Sequence, residues 1–396
     1  MSNASQVKLP SVEKSQLTLG YMRLSDSAPL VMAEALGFYE QHGLQVTLHR
    51  EVSWANLRDR LIMGELDAAQ MLAPLPLMTT YGAGGMRANL MTGLSLSLNG
   101  NAITLSNRIY KDTRQAGADA SPEDYAKQLA RVLQANGSAQ TLTFATVHMF
   151  STHTFLLRAW LKSGGIDPDH DVRIIVLPPE QMCDSLARGI IDGFCVGEPW
   201  NTVAVQQGIG SVIATGYSIW NNAPEKVLCV TEAWHKQNPG THTRLRMALM
   251  QACAALADKN RRHEAAEILS SKEYLDLPMD YLLPSLTGDF CFSKGESTKN
   301  VEDFHVFWDY QACFPWRSHA LMLAHLSADS LGRPLSEETE SNLVQQCYRT
   351  DLYRESARLL DVVSPDKDYK KEDMHDSEWL FSEGIVLGAD RILEQN

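Results

Sequence analysis

Two stretches of the chain alternate short apolar runs with segments of helical apolar spacing. The first predicts the order strand, helix, strand, helix, strand, in the segments Leu17–Met22, Leu30–Tyr39, Leu44–Leu48, Trp54–Met63 and Leu66–Leu72. A helix start is predicted before Leu30, where small polar residues precede an early proline. The second stretch predicts the same order, in the segments Thr141–Val147, Phe155–Lys162, Val172–Leu177, Met182–Arg188 and Ile191–Val196.

The spacing of these segments suggests an internal duplication. The interval from Leu17 to Gly64 equals the interval from Leu142 to Gly189, and an aspartate follows each glycine three positions later. Glycine suits the left-handed residue that ends a helix before a tight return to a strand. Coincidence is the alternative, because strand–helix–strand units share similar lengths.

Strands that alternate with helices predict parallel sheets covered on both faces, and hence an α/β fold of two lobes. Residues 15–103 are predicted to form the first part of lobe I, residues 104–217 lobe II, and residues 218–396 a return to lobe I with a C-terminal helical extension. Residues 300–396 carry no clear strand pattern. The carboxyl ends of the strands and the helix N-termini would converge on a cleft between the lobes, a setting that favours a small anion.

Composition limits the partners but not the ligand. The 396 residues carry a net charge of −13, and 44% are hydrophobic and 21% charged. An acidic chain of this kind is not expected to grip nucleic acid directly. No apolar run is long enough for a predicted membrane span. A small anion can still bind if one local pocket is positive.

The N-terminus and the cysteines bear on the compartment. No apolar secretory signal is visible, so the chain is predicted to be cytoplasmic; alternatively, Ser2-Asn3-Ala4 is a remnant that replaced an export signal, and the protein is periplasmic. The seven cysteines are odd in number and scattered in spacing, which favours reduced, buried thiols over a disulfide framework or a zinc site.

Catalytic and metal-binding signatures are absent from the sequence. It contains no P-loop, no dinucleotide-binding glycine motif, no nucleophile elbow and no HExxH. His148 and His153 are five positions apart and do not share a helical face well. No catalytic residue, metal or cofactor is therefore expected, and the chain is predicted not to be an enzyme.

Two residues are candidates for holding an anion by charge and hydrogen bonding. Lys226 lies at the edge of an apolar run, where it must reach solvent, pair with Glu225 or face a negative ligand. His153 lies at a predicted helix start, where it either binds a ligand or is only part of the helix N-terminus with no role in binding.

Four further residues are candidates for shaping the pocket. Trp54 begins a predicted helix, and its ring would either cover one face of a flat anion or pack in the core. Gly100 and Asn101 follow an apolar run and would either bring backbone amides close to a ligand or form a plain turn. Gln70 lies on an apolar strand, where it would either find an inward partner or face solvent.

Together these residues identify a family. The chain resembles the nitrate- and bicarbonate-binding proteins of ABC transporters in the segments Ser53–Trp54, Asn99–Asn101, Phe150–Pro168, Val176–Met182, Asp192–Asn201 and Ala223–Lys226. The resemblance covers nearly the whole chain, and the Gly-Glu-Pro-Trp-Asn stretch is its most specific part. It implies a periplasmic-binding-protein-like (type II) fold, with two lobes around a ligand cleft.

The resemblance also implies roles for the candidates. Trp54 would form an aromatic wall, Gln70 and the Gly100–Asn101 backbone would add polar contacts, His153 would hydrogen-bond the anion and Lys226 would supply the charge. Asn101 departs from the family, in which nitrate transport proteins tend to carry glutamine, and the shorter amide would change reach or preference. Lys226 favours a monovalent anion over a metal–carbonate complex.

Within this family, the chain resembles the cytoplasmic nitrate/nitrite sensor of the NasS type. The resemblance implies that it sequesters an RNA-binding antiterminator of the NasT type and releases it when nitrate or nitrite binds. The alternatives are a periplasmic nitrate receptor of an ABC transporter, a binding protein for bicarbonate or another small anion, and an enzyme on the same fold.

Overall fold

The computed structural model describes residues 9–114, 120–136 and 141–393. In chain order, its strands are Gln16–Met22 (β1), Gln45–Glu51 (β2), Ala68–Leu72 (β3), Leu90–Asn99 (β4), Asn101–Ser106 (β5), Thr143–Thr146 (β6), Arg173–Val176 (β7), Gly193–Gly197 (β8), Gly210–Thr215 (β9), Pro224–Thr231 (β10), Asp289–Phe290 (β11), Lys299–Asn300 (β12), His305–Val306 (β13), Trp379–Ser382 (β14) and Ile385–Leu387 (β15).

The helices connect and cover these strands. They are Ala28–Ala35 (α1), Phe38–Gln41 (α2), Trp54–Ile62 (α3), Leu75–Tyr81 (α4), Asn107–Thr113 (α5), Pro122–Asn136 (α6), Thr152–Ser163 (α7), Met182–Ala187 (α8), Trp200–Gln207 (α9), Gly216–Ile219 (α10), Glu232–Gln237 (α11), Pro239–Ala255 (α12), Lys259–Ser270 (α13), Met279–Thr287 (α14), Arg317–Ser330 (α15), Glu337–Cys347 (α16) and Thr350–Leu359 (α17). Short 3₁₀ turns span Ser25–Ser27, Pro179–Gln181 and Asp309–Gln311.

Two mixed sheets define the two lobes. Lobe I carries the sheet β13-β4-β10-β3-β1-β2, and lobe II carries the sheet β7-β6-β8-β5-β9. Three neighbouring strands in each sheet are parallel, namely β2-β1-β3 in lobe I and β7-β6-β8 in lobe II. The predicted parallel pairing is therefore confirmed for these strands only. Strands β10 and β5 join their sheets antiparallel to β3 and β8.

Strands β5 and β10 both begin where the chain crosses between lobes. The chain leaves lobe I at Gly100, between β4 and β5, and returns between Thr215 and Pro224. The boundary predicted after residue 103 falls inside β5, which already belongs to the sheet of lobe II. Both crossings therefore lie at the ends of strands that reach the boundary between the lobes.

The two lobes repeat one local structure. Gly64 and Gly189 end equivalent helical segments with left-handed φ values of 77° and 67°. Downstream, the Asp67 carboxylate accepts a hydrogen bond from the backbone N–H of Thr18 at 2.9 Å, and the Asp192 carboxylate accepts one from Thr143 at 2.8 Å. Each aspartate thus joins the start of the third strand of its repeated unit, β3 or β8, to the first strand of that unit, β1 or β6.

Two predictions about local structure are wrong. The helix predicted over Leu30–Tyr39 is interrupted, because Gly37 adopts a left-handed φ of 71° between α1 and α2. Residues 300–396 also contain strands: β13 extends the sheet of lobe I, and β14 pairs with β15. These strands are two to four residues long, too short to leave an alternating pattern in the sequence.

The C-terminal helices pack onto lobe I. Helices α15 and α16 contact α4, while α17 packs on α12 and β4. Among the described residues, no helix combines the length and apolar character needed to cross a membrane.

Candidate functional site

The candidate residues meet where the two lobes face each other. Trp54 begins α3, whose start is fixed by Ser53: the Ser53 hydroxyl accepts a hydrogen bond from the backbone N–H of Asn56 at 3.1 Å. Ser151 caps α7 in the same way and so orients His153 in its first turn. Helix N-termini from both lobes therefore point toward the boundary between them, where they favour negative charge.

Lys226 is the centre of the site. It lies on β10 between β3 and β4, and its side chain is 0% exposed. Its Nζ is 2.8 Å from Asp26 Oδ2 and 2.5 Å from Glu225 Oε1, and it lies 5.3 Å from the centre of the Trp54 ring. Burial acts to lower the pKa of Lys226, but the two carboxylates outweigh it and raise that pKa above its ordinary value. Lys226 is therefore a buried ammonium ion.

A backbone irregularity explains how Glu225 and Lys226, adjacent on one strand, can touch. Side chains of successive strand residues normally point to opposite faces of a sheet. The pairing of β10 with β4 shifts register between Pro224 and Lys226 and again between Lys226 and Val227. Such bulges re-aim side chains, and here they bring a carboxylate and an ammonium group together.

Glu225 links the lobes as well as holding Lys226. Its Oε2 accepts a hydrogen bond of 2.6 Å from the Asn101 side-chain amide on β5 of lobe II. Its Oε1 lies 3.5 Å from His153 Nδ1, also in lobe II. The carboxylate of a lobe I strand thus contacts two predicted ligand residues of the opposite lobe.

Gln70 hydrogen-bonds Asp26, and Asp26 in turn contacts Lys226. Its amide nitrogen donates a 2.8 Å hydrogen bond to Asp26 Oδ1, and its amide oxygen accepts a 3.4 Å hydrogen bond from the backbone N–H of Met22. The alternative of a solvent-facing Gln70 is excluded, because the residue is completely buried.

His153 is buried without hydrogen-bond partners. It is 0% exposed, and within the described residues neither ring nitrogen forms a hydrogen bond. Burial lowers the pKa of His153 well below its ordinary value, and Lys226 lowers it further, against an opposing effect of Asp26. The imidazole is therefore neutral, and it can donate from one nitrogen and accept at the other.

Gly100 is required by its surroundings. It has a φ of 94°, and a Cβ added to it would lie 2.1 Å from Cε1 of the buried His305. Its carbonyl accepts a hydrogen bond of 3.2 Å from the backbone N–H of Glu198 on the other side of the crossing. A larger residue would therefore disturb the first crossing between the lobes.

Further contacts hold the lobes in a closed arrangement. The Arg23 guanidinium of lobe I pairs with Glu180 of lobe II at 2.8 Å. The Thr152 hydroxyl donates a 2.7 Å hydrogen bond to the carbonyl of Pro224, and the backbone N–H of Ser25 donates one of 2.8 Å to the carbonyl of Glu198. The site lies behind these contacts, and its side chains are at most 1% exposed.

Five of the six predicted residues are thus connected by contacts at one place, and Gly100 immediately precedes Asn101 in the chain; their roles in binding a ligand remain predictions. Sequence reasoning missed Asp26 and Glu225 as parts of the cluster. Asp26 lies in a Ser-Asp-Ser stretch that is typical of a helix start, and Glu225 was considered only as a possible partner of Lys226. The signal that could have found both is the buried lysine itself, which requires carboxylates nearby.

Glu198, which lies in the specific Gly-Glu-Pro-Trp-Asn stretch, and His305 are two further buried titratable groups close to the site. Burial raises the pKa of Glu198 to about 7, although hydrogen bonds from Thr202 and Asn201 oppose this effect. Burial lowers the pKa of His305 well below its ordinary value, with Arg262 and Lys226 adding to the effect. No described group of three or more histidine, cysteine, aspartate or glutamate residues is suited to holding a metal ion.

Comparison with proteins of known sequence places this arrangement in a family. The NMT1-like family matches residues 11–270. The chain is 32% identical to the nitrate/nitrite binding protein NrtA of Synechocystis sp. over 87% of its own length and 76% of that protein. It is 38% identical to the nitrate import ATP-binding protein NrtC of the same organism over 95% of its length, and 43% identical to the bicarbonate transport ATP-binding protein CmpC over 68%. It spans only 55% of NrtC and 39% of CmpC, which are longer proteins.

Solved structures agree with this placement. The crystal structure of the periplasmic nitrate-binding protein NrtA from Synechocystis PCC 6803 superimposes with a TM-score of 0.84 and 29% identity, covering 96% of this chain and 97% of that one. The alkanesulfonate-binding protein SsuA from Xanthomonas axonopodis, at 15% identity and a TM-score of 0.57, shares the fold alone. The chain therefore belongs to the NMT1-like family and has the periplasmic-binding-protein-like fold of its homologues, the NrtA nitrate/nitrite binding proteins.

Proposed function

We propose that the chain binds nitrate or nitrite between its two lobes and does not catalyse a reaction. The observation that carries this proposal is the buried ammonium group of Lys226, which lies at the lobe boundary against the Trp54 ring. A buried cation needs negative partners, and a buried cation between two movable lobes can exchange one negative partner for another. The homology to proteins named for nitrate and nitrite binding supports the choice of anion.

Each predicted residue has a proposed role in this site. Lys226 supplies the charge, and the buried His153 ring donates a hydrogen bond to the anion. The Trp54 face covers the planar ligand, while Asn101 and the backbone around Gly100 add polar contacts. Gln70 fixes Asp26 and thereby the position of the Lys226 ammonium group.

Ligand binding is proposed to stabilise the closed arrangement of the lobes. The residues that would touch the anion come from both lobes, so the anion binds the closed state better than an open one and shifts the population toward it. The contacts that Glu225 makes with Asn101 and His153 define the same closed state and are the ones that a ligand would rearrange.

One role for such a switch is that of a sensor. We propose that the open state holds an RNA-binding antiterminator of the NasT type and that nitrate, by favouring closure, weakens this complex through reciprocal linkage. The seven unpaired cysteines, six of them buried, support a protein that works in a reducing compartment. Adding nitrate to the preformed complex should lower the affinity for the partner; an unchanged affinity would exclude the sensor role.

The other role is that of a nitrate receptor for an ABC transporter. The homology to NrtA, named periplasmic in its crystal structure, favours this alternative. The two roles differ in the partner, since the receptor must stimulate nitrate-dependent ATP hydrolysis by a reconstituted transporter. That assay separates them without reference to nitrate affinity.

The binding proposal is tested by isothermal titration of the intact chain with nitrate, nitrite and bicarbonate. We expect saturable binding of nitrate or nitrite, and at least about a tenfold loss of affinity in Lys226→Gln, because a charge-assisted hydrogen bond contributes about 1.5–3 kcal/mol. Lys259→Gln is the matched control, since the Lys259 side chain is 64% exposed and distant from the cluster in sequence. Preferential binding of bicarbonate would assign the site to the other anion of the family, and no binding of any of the three would refute the proposal.

A further inference from the structure

The charges inside the site do not balance. One ammonium group, Lys226, contacts two carboxylates, Asp26 and Glu225, while the imidazole of His153 is neutral. With both carboxylates ionised, the cluster holds one more negative than positive charge, and its side chains are at most 1% exposed. An incoming anion would raise this excess to two negative charges in a place that water does not screen.

When the anion is nitrate, a proton has to compensate the negative charge that the anion brings into the site. Nitrate is the anion of a strong acid and carries no proton at neutral pH. A proton that compensates its charge must therefore be taken up by a side chain of the protein. Nitrite and bicarbonate can bring a proton of their own, so nitrate is the probe that isolates the contribution of the protein.

The geometry selects His153 as the acceptor. Asp26 already accepts a hydrogen bond from Gln70 and faces Lys226, and Glu225 accepts hydrogen bonds from Asn101 and Lys226, so both carboxylates already have partners. Neither ring nitrogen of His153 has a hydrogen-bond partner within the described part of the chain, and its Nδ1 is 3.5 Å from Glu225 Oε1. A protonated ring could donate to Glu225 from one nitrogen and to an anion from the other.

Resting on the proposed function, we propose that nitrate enters this site together with one proton, which His153 takes up to become an imidazolium between Glu225 and the anion. The charged groups that face His153 are Asp26 from the 3₁₀ turn and Glu225 and Lys226 from β10. In the free protein, burial and the nearby Lys226 keep this ring neutral, against the opposing effect of Asp26. The bound anion adds a second uncompensated negative charge beside the ring and thereby raises the pKa of the ring.

This coupling makes nitrate affinity depend on pH. In the range between the low pKa of the free protein and the raised pKa of the complex, each molecule of bound nitrate takes up one proton. The dissociation constant should then increase up to about tenfold for each unit by which the pH rises, and level off outside that range. The affinity is therefore highest in acidic solution, opposite to a site that needs an ionised carboxylate.

Glu198 is a second group near the lobe boundary that can titrate in the same range. Its carboxylate is buried, accepts a hydrogen bond from the backbone N–H of Thr202 at 3.2 Å, and has an oxygen, Oε1, without a partner among the described residues. Ionisation of Glu198 above neutral pH would also weaken anion binding. The experiment must therefore separate Glu198 from His153.

The test is isothermal titration of the intact protein with nitrate, in pairs of buffers of different ionisation enthalpy, from about pH 5.5 to about pH 8.5, because the buffer dependence counts the protons taken up. We expect an uptake of close to one proton per nitrate in the wild type and in Glu198→Gln. His170→Gln is the matched histidine control, since that side chain is 81% exposed, and it should behave as the wild type does.

Two variants should abolish the uptake for different reasons. His153→Gln removes the acceptor, so nitrate binding becomes weaker and loses its proton uptake. Glu225→Gln removes the excess negative charge, so nitrate binds without a proton and with at least tenfold higher affinity than the wild type at the alkaline end. Asn101 can turn its amide toward the new glutamine, because its own side-chain oxygen has no described partner.

The outcomes distinguish the proposed nitrate binding from the proposed proton uptake by His153. Nitrate binding with no proton uptake in the wild type would overturn the inference and leave the proposed function intact. Uptake that persists in His153→Gln, or disappears in Glu198→Gln, would overturn the assignment to His153. No nitrate binding by the wild type at any pH would overturn the proposed function and the inference together. Circular dichroism of each variant checks that it is folded.

Discussion

Two sets of carboxylates in this molecule perform different tasks. Asp67 and Asp192 occupy equivalent positions in the two lobes, and each accepts a backbone hydrogen bond from the first strand of its repeated unit, β1 or β6. Their cationic partners, Lys14 and Arg108, have side chains that are 48% and 51% exposed. Water can therefore screen these pairs, and the duplicated aspartates act as fasteners within the fold.

The cluster of Asp26, Glu225 and Lys226 contrasts with these fasteners in two ways. It lies at the lobe boundary and not at equivalent positions within the two lobes, and its side chains are at most 1% exposed. A charge added to or removed from this cluster is not screened, so it must be compensated within the site. The comparison suggests that repeated carboxylates maintain the lobes, whereas the buried cluster at the lobe boundary responds to a ligand.

The largest effect should follow from removing the cation of the cluster. In Lys226→Met, two buried carboxylates lose their partner, and the free energy of unfolding at neutral pH should fall by about 3–5 kcal/mol. Nitrate binding should be lost as well. Denaturant unfolding of the variant beside the wild type measures the first effect and titration the second; a variant of unchanged stability would show that the cluster is not the charged core described above.

A smaller effect should follow from removing either fastener. Asp67→Ala and Asp192→Ala each leave a strand N–H without its side-chain acceptor, so each should lower the free energy of unfolding by about 1–3 kcal/mol. Asp67→Ala should cost more, because Asp67 also accepts a 2.8 Å hydrogen bond from Trp234.

Nitrate affinity separates the fasteners from the cluster. It should be unchanged in both aspartate variants once they are confirmed to be folded, because neither carboxylate contacts the site. A loss of nitrate affinity in folded Asp192→Ala would contradict the claim that only the buried cluster, and not the repeated aspartates, responds to the ligand.

The smallest effect should come from the contact that bridges the lobes near the surface. The Arg23–Glu180 pair is partly exposed, so in Glu180→Gln the loss should be about 0.2–1 kcal/mol. Because the pair joins the two lobes, this loss should appear as a nitrate affinity weaker by about 1.4-fold to fivefold, the equivalent of that energy. Titrating the variant at low and at high salt checks this, since the difference from wild type should shrink as salt screens the pair.

The sequence was most informative where the fold repeats a local rule. The glycines Gly64 and Gly189 predicted the helix ends in both lobes, because few other residues adopt a left-handed φ without a steric cost. The mixed sheets were not predicted, since the direction in which β5 and β10 join depends on where the chain crosses between lobes. That crossing is a tertiary feature and leaves no periodic pattern in the strands themselves.

The site was predicted in part for a similar reason. Lys226 and His153 could be selected, because a lysine beside an apolar run and a histidine at a helix start are visible locally. Asp26 could not, because it lies in a stretch that reads equally well as a helix start. The contact between Glu225 and Lys226 depends on register shifts in β10, which no periodicity reveals.

The central claim is that an anion binds at Lys226 between the lobes. A crystal structure of the protein grown with nitrate tests it most directly. The account predicts nitrate within hydrogen-bonding distance of Lys226 Nζ and His153, covered by the Trp54 ring. Nitrate bound only elsewhere, with Lys226 still held by Asp26 and Glu225 as in the present structure, would contradict it.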